Sequence, residues 1–400
     1  MCSSIVVLLV IGIYFYIDIN ATSGKVIENS KDSSIINSNT ISMMYETESG
    51  SGEYQAATES SWLQEGYVFN EELSSCENGS KLTWNEDTKQ ILLEANVSDK
   101  CYVYFDVYVE PTLSERCDGK TLSSCIVDEL YTEDGENDLY YHDGVGSYEN
   151  ADQEAGDNSY RFAGANPNNF VCFGTDDTTC SNDNLYRIIG VFDSQVKLIK
   201  NASIGSYPWA SSGDNTWNSS TKPSIRNILN TTYLNGLGST WVNKIAIHNW
   251  KVGGVKYDYS FSYTVKQYYD LEVGSSSSSI TDNMKIGLMY ASDYGYAASN
   301  NYWTTALSSY PAASSSNWMF ASIYEWTISG DINNSLNALY LTPGGGVSSS
   351  MSNRVSFPSN VRPCFYLESS VKYNGGSGTQ SDPFRIKTDA TGGGDTSDND

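Results

Sequence analysis

Histidine is nearly absent: the 400 residues contain only His142 and His248. A Ser-His-Asp triad would need one of them, and no Gly-x-Ser-x-Gly elbow occurs. His142 is expected to make a turn hydrogen bond and His248, beside Trp250, to pack. No Cys-x-x-Cys pair exists among the eight cysteines, which with two histidines argues against zinc. Basic residues are scarce as well. The 23 Lys and Arg face 48 Asp and Glu, for a net charge of −25. Nucleic acid and anionic lipid both require basic patches, so neither is expected as a partner. A phosphate-binding glycine loop is missing. The acidic stretches Asp134–Asp138 and Asp176, Asp177, Asn182, Asp183 lack EF-hand spacing and read as solvated loops. Paired carboxylates for glycoside hydrolysis cannot be singled out, because their separation in space decides that chemistry. The expectation is a protein without catalytic residue, metal or cofactor.

What is present is aromatic and polar. The hydrophobic fraction is 39%, offset by 30 Tyr and 9 Trp, which bury large areas while keeping a polar handle. The apolar run Ile5–Ile17 is too short, at about 1.5 Å per residue, for a bilayer core of about 30 Å. Residues 1–19 are therefore expected to be a signal peptide or membrane anchor, although no Lys or Arg precedes the run. Residues 20–62, rich in Ser, Asn and Glu, read as a disordered stalk. Such a chain would be extracellular, at the cell surface or membrane-anchored by its N-terminus, and would meet a membrane only there. In that setting the cysteines are expected to pair locally as Cys76–Cys101, Cys117–Cys125 and Cys172–Cys180, although spacing alone leaves connectivity open. Cys364, in an alternating apolar strand, reads as a buried thiol.

Residues 63–112 read as a small β domain, with strands near 81–84, 90–94 and 101–107 and a tight turn at Asn78-Gly79-Ser80. Residues 113–158 read as an acidic connector with a weak helix at 122–131. Residues 159–387 form the main domain. Its clearest hairpin joins Leu185–Phe192 to Gln195–Lys200 across Asp193-Ser194. Its best helix starts near Pro223, with Ile225, Ile228, Leu229, Tyr233 and Leu234 on one face and Gly236 at its end. Further strands are expected at 284–290, 323–328, 336–341 and 361–367, and a short helix at 240–247. Long loops separate them. Residues 388–400 read as a disordered tail.

The order of motifs in the main domain is informative. The hairpin leads to Trp217-Asn218-Ser219-Ser220, then Ile225-Arg226-Asn227-Ile228-Leu229-Asn230. Leu288-Met289-Tyr290-Ala291-Ser292-Asp293-Tyr294 follows, then Gly345-Gly346-Val347 and the closing Val361-Arg362-Pro363-Cys364-Phe365-Tyr366-Leu367. This resembles an uncharacterised bacterial domain grouped with the C-type-lectin-like and formylglycine-generating-enzyme-like folds. Asn169-Phe170-Val171-Cys172-Phe173-Gly174 and Gly378–Ile386 are similar to segments of paralogous bacterial surface proteins. The resemblance covers roughly half the chain. It implies an α+β, short-stranded C-type-lectin-like domain with long loops, preceded by a small disulfide-stapled β domain. The copper-binding cysteine pair of the oxidases has no counterpart, since Cys364 stands alone. The Glu-Pro-Asn and Trp-Asn-Asp motifs of calcium-dependent lectins have none either.

Aromatic residues in the loops are the remaining binding signal: Tyr207, Trp209, Trp217, Trp303, Tyr310 and Trp318, with Trp209 and Trp303 foremost because polar residues surround them. Flat rings suit sugar faces or protein hot spots. The competing reading is that they are core, since the fold implied by the resemblance buries tryptophans. The function expected is an exported cell-surface binding module for a glycan or a surface protein, without catalysis. The alternative is a structural or pilus-associated component that self-associates.

Overall fold

The structure is a computed structural model describing residues 5–7, 15–18, 24–28, 38–57, 65–94, 98–143, 153–211, 214–217, 224–257, 262–274, 276–310, 313–349 and 354–388. It divides into two units, Met1–Pro111 and Thr112–Asp400, together of α+β class. The expected tail after Thr388 lies outside the described residues. Most of the apolar run at 5–17 does too.

The first unit is all β. Its strands are β1 (Ile5–Val7), β2 (Phe15–Asp18), β3 (Gly24–Glu28), β4 (Ser38–Glu46), β5 (Tyr54–Ala56), β6 (Tyr67–Cys76), β7 (Lys81–Asn85), β8 (Gln90–Glu94) and β9 (Lys100–Val107). One sheet runs β1-β2-β3-β4-β9-β6, with β5 paired to β4, while β7 and β8 form a separate ribbon. The pair β4–β9 is parallel. Alternate side chains fill the core: Ile41, Met43 and Tyr45 from β4, Cys101, Val103 and Phe105 from β9, Ile91 and Leu93 from β8. That period of two is what a half-buried strand requires. The stretch expected as a stalk thus departs from disorder over residues 38–57, because Ile41-Ser42-Met43-Met44-Tyr45 carries that alternation. Asp99 accepts the amide N–H groups of Asn78 and Ser80 at 2.7 and 2.9 Å, which fixes the turn around Gly79. Cys76 and Cys101 sit opposite each other on β6 and β9 and are disulfide-bonded.

The second unit begins with α1 (Leu113–Arg116) and α2 (Leu122–Leu130). These residues are not a connector: Leu122, Cys125, Ile126 and Leu139 belong to the unit's single core. The strands are β10 (Leu139–His142), β11 (Ser159–Phe162), β12 (Phe170–Cys172), β13 (Leu185–Phe192), β14 (Gln195–Lys200), β15 (Ser206–Pro208), β16 (His248–Lys251), β17 (Thr281–Met284), β18 (Ile286–Gly287), β19 (Glu325–Gly330), β20 (Ala338–Leu341), β21 (Val347–Ser348), β22 (Pro358–Asn360) and β23 (Cys364–Tyr366). The principal sheet runs β10-β11-β13-β14-β23-β18, with β12 also on β13. A second runs β15-β22-β19-β20-β21, and β16–β17 form a ribbon. The β13–β14 hairpin turns on Asp193 and Ser194, both at positive φ (46° and 65°), as a two-residue turn of type I′ demands. The expected helix after residue 223 comprises α3 (Ile225–Ile228), a π-turn at Leu229–Tyr233 and α4 (Leu234–Gly236), followed by α5 (Ser239–Val242). Two of the longer helices were not foreseen from the sequence. One is α6 (Val265–Glu272), capped by a Thr264–Gln267 box. The other is α7 (Ala291–Tyr296), wholly buried.

The disulfides Cys117–Cys125 and Cys172–Cys180 are also present, and Cys364 is a buried free thiol. The last segment folds back on the first. Leu122 N–H donates to Val371 O at 2.8 Å and Tyr373 N–H to Lys120 O at 3.2 Å, while Phe384 N–H donates to Phe170 O at 2.8 Å and Cys172 N–H to Phe384 O at 2.9 Å.

Candidate functional site

Four strands of the principal sheet place one residue each in a single row: Arg161 opposite Gly190, Gly190 opposite Lys197, Lys197 opposite Tyr366. Gly190 sits where the β13–β14 register shifts, and a Cβ there would lie 2.2 Å from Tyr160 O. The glycine is required by close backbone approach. It also leaves a gap in the row between two cations. Asp293, from the first turn of α7, enters that region. Its carboxylate lies 2.6 Å from Lys197 Nζ and 3.6 Å from Arg161 Nη1, and it accepts the Tyr290 N–H at 2.8 Å. Asp157 takes the other side of Arg161, at 2.6 Å from Nη2, while Arg161 Nε donates to Ser159 Oγ at 2.9 Å. The result is an alternating chain of charges, Asp157–Arg161–Asp293–Lys197, in which Arg161, Lys197 and Asp293 are buried.

Aromatic rings enclose it. Lys197 Nζ lies 4.7 to 5.6 Å from the ring centroids of Tyr290, Tyr366, Trp250 and Phe192. The Arg161 guanidinium lies over Phe192 at 4.6 Å and over Tyr296 at 5.0 Å. Such contacts offset part of the loss of hydration. Burial pushes the Asp157 carboxyl up, but the Arg161 charge and the Ser159 hydrogen bond outweigh it and hold the group at about 2. Arg161 is pushed down by burial and raised further by Asp157 and Asp293, with a net rise.

Above this network opens a cavity of about 260 Å³, walled by Phe192, Tyr269 and Tyr366 and rimmed by Asp193, His248, Asn249 and Lys251. The His248 imidazole stacks on Tyr366 with centroids 3.8 Å apart and an interplanar angle of 17°. Burial first, and the Lys197 charge second, lower its pKa to about 4. An unfolded histidine titrates near 6.5. Between about 6.5 and 4 the unfolded chain therefore binds more protons than the folded one, and stability falls as pH drops through that window. His248→Phe is expected to flatten this dependence. Urea midpoints at pH 7 and pH 5 for both proteins check it, and equal slopes would refute it.

Among the described residues lining the cavity, no hydroxyl or thiol donates to an imidazole. Ser292 Oγ donates to Glu272 at 2.7 Å rather than to an imidazole. The Cys364 thiol is pushed up by burial, with the Asp293 charge adding to the effect. His142, distant in sequence from the rim, accepts the Ala155 N–H on Nδ1 at 3.0 Å and packs against Tyr296 and Trp303.

The aromatic residues singled out by sequence lie elsewhere. Trp209, Trp217, Trp303, Tyr310 and Trp318 are all buried. Trp209 donates its indole N–H to Thr327 O, Trp303 to Ala298 O and Trp318 to Phe162 O, at 2.8 to 3.0 Å. Trp217 points its N–H at Met284 Sδ (3.3 Å), and Tyr310 shares a hydrogen bond with Ser316. Their polar handles are satisfied inside, which is the condition for burying such rings. A closed-off ring offers no face to a ligand, so Trp209, Trp217, Tyr310 and Trp318 are corrected to core residues. Tyr207 is half-buried in β15, away from the charged row. Trp303, although nearly buried, borders a separate polar groove with Tyr140, Glu133 and Glu154. A third cavity, in the first unit, is bounded by Tyr45, Tyr67, Trp84 and Phe105.

Arg161, Lys197, Lys251 and Asp293 were missed by sequence reasoning. The available signal was Lys197 itself, an ion inside the apolar strand Val196–Ile199. Among the described residues the one grouping of metal-capable side chains is Cys76, Asp99 and Cys101, and its two sulfurs are bonded to each other. No protein-family model, curated protein or solved structure matches the chain.

Proposed function

We propose that this chain is an exported cell-surface binding protein whose second unit is a C-type-lectin-like glycan-binding module without a catalytic step. The observation that carries the reading is the cavity above the buried charge row. It joins ring faces to polar side chains, as sugar sites do. Its volume of about 260 Å³ falls just under the range of about 300–1,000 Å³ usual for drug-sized ligands, so one sugar unit is the natural occupant. Three disulfides point to an oxidising compartment. Among the described residues no helix is long and apolar enough to cross a membrane.

The test is a glycan array probed with the full chain, disulfides intact, beside His248→Ala and Asn249→Ala. A hit reduced at least tenfold by His248→Ala is expected. A folded protein that binds nothing, or binds equally well in both variants, refutes the site. Self-association is favoured by a different observation. Ile280 and Ile332, 53% and 61% exposed, both lie against Gly253–Gly254 and form a small apolar patch. A concentration-dependent dimer on sizing, lost in Ile332→Ser, would support that role instead.

A further inference from the structure

We infer that the ligand of this cavity carries a carboxylate, so that the site takes an acidic sugar in preference to a neutral one. The inference rests on the glycan-binding reading above. It follows from an imbalance between donors and acceptors.

The acidic side of the network is used up. Asp157 Oδ1 accepts from the Ser159 amide and hydroxyl, and Oδ2 accepts from Arg161. Asp293 Oδ2 accepts from Lys197 and from the Tyr290 amide, while its Oδ1 faces Arg161. The basic side is not. Arg161 is engaged through Nε and Nη2, but Nη1 has only the 3.6 Å ionic contact with Asp293, longer than a hydrogen bond. Lys197 has three N–H donors and a single hydrogen-bond acceptor, Asp293, its other neighbours being ring faces. Lys251, at the rim, makes no ion pair among the described residues. A group that completes these donors must bring acceptors of its own.

Charge points the same way. The chain has about twice as many acids as bases, 48 against 23, yet in this one cavity three cations meet three carboxylates. Asp157 and Asp293 are neutralised by direct pairing. Asp193 stays exposed at the rim. Opposite Lys251 and the unfilled Nη1 edge of Arg161, an anion is favoured and a cation is not. A carboxylate has two oxygens with about four acceptor positions, a small demand that the unsatisfied Lys and Arg donors can meet. Phe192 and Tyr269, both half-buried in the wall, would take the apolar face of the sugar ring.

The experiment uses the full chain with disulfides intact. Calorimetry would compare glucuronic acid, galacturonic acid and N-acetylneuraminic acid with glucose, galactose and N-acetylglucosamine, and with glucose 6-sulfate. At least one carboxylated sugar is expected to bind at least tenfold more tightly than its neutral counterpart. Lys251→Gln, whose backbone bonds to Tyr290 remain, is expected to erase most of that difference with an unchanged circular dichroism spectrum. A neutral sugar binding as tightly as the acid overturns this inference and leaves the glycan reading standing. A sulfate binding as tightly as the carboxylates overturns the carboxylate assignment. Silence from every sugar overturns both readings.

Discussion

Asp293→Ala is expected to cost the second unit about 3–5 kcal/mol, the usual penalty for removing one partner of a buried ion pair. Asp293 serves two cations at once, with Lys197 at 2.6 Å and Arg161 at 3.6 Å, and it also caps α7 by accepting the Tyr290 N–H. Without it, Lys197, only 1% exposed, would keep a full charge among ring faces. Contacts with those rings are worth about 2 kcal/mol each when desolvated, and the same rings contact it already, so they cannot replace the carboxylate. The double variant Lys197→Met, Asp293→Asn removes both charges and should recover most of the loss, since apolar replacements of buried pairs are often neutral. Urea unfolding followed by near-UV circular dichroism reads all three proteins. If the single variant loses less than about 1 kcal/mol, the charge row is not what holds α7 against the sheet.

Opening Cys76–Cys101 should be nearly as damaging to the first unit. Among the described residues its core comprises nine buried apolar side chains, a small store against a total stability of about 5–15 kcal/mol for ordinary domains. The bridge spans 25 residues, for which the loop-entropy estimate is about 3.5 kcal/mol. The two bridges of the second unit close loops of 8 residues each, worth about 2.5 kcal/mol apiece by the same estimate, and they lean on a far larger core. The variant Cys76→Ser, Cys101→Ser is therefore expected to unfold the first unit at a denaturant concentration well below that of the intact protein. The probe is Trp84, which packs against Phe69 and Phe105. An unchanged midpoint for its environment would show that the strand pairing alone suffices.

The comparison of sequence with structure separates local signals from long-range ones. The hairpin at 185–200 was legible to the residue because its turn chemistry and β-branched flanks are local. α2 was legible to within one residue, and the six cysteines pair as the local reading expected, although spacing alone left the connectivity open. The strand at 38–46 was hidden by its polar surroundings, although Ile41, Met43 and Tyr45 alternate correctly. The helix after residue 223 was visible, but its π-turn was not. The tryptophans misled because a ring amid Ser and Asn looks exposed until its N–H is seen to end on a distant carbonyl such as Thr327 O. The charged row was invisible for the complementary reason. Arg161, Lys197 and Asp293 lie up to 132 residues apart, and only the strand registers and α7 bring them together.

The return of the last segment onto the first has a consequence for the order in which the second unit can be made. Lys120 and Leu122 bond to Tyr373 and Val371, and Phe170 pairs with Phe384. A growing chain that has passed the β13–β14 hairpin still lacks every one of those partners. Early folding is thus confined to local pieces: the hairpin, α2 with its bridge, and the short Cys172–Cys180 loop. Closure across some 250 residues waits for the final stretch, and such distant contacts form slowly. Until then the strand edge at β12 stands open. The interval between the emergence of Phe170 and of Phe384 is when the nascent protein is most exposed to mispairing.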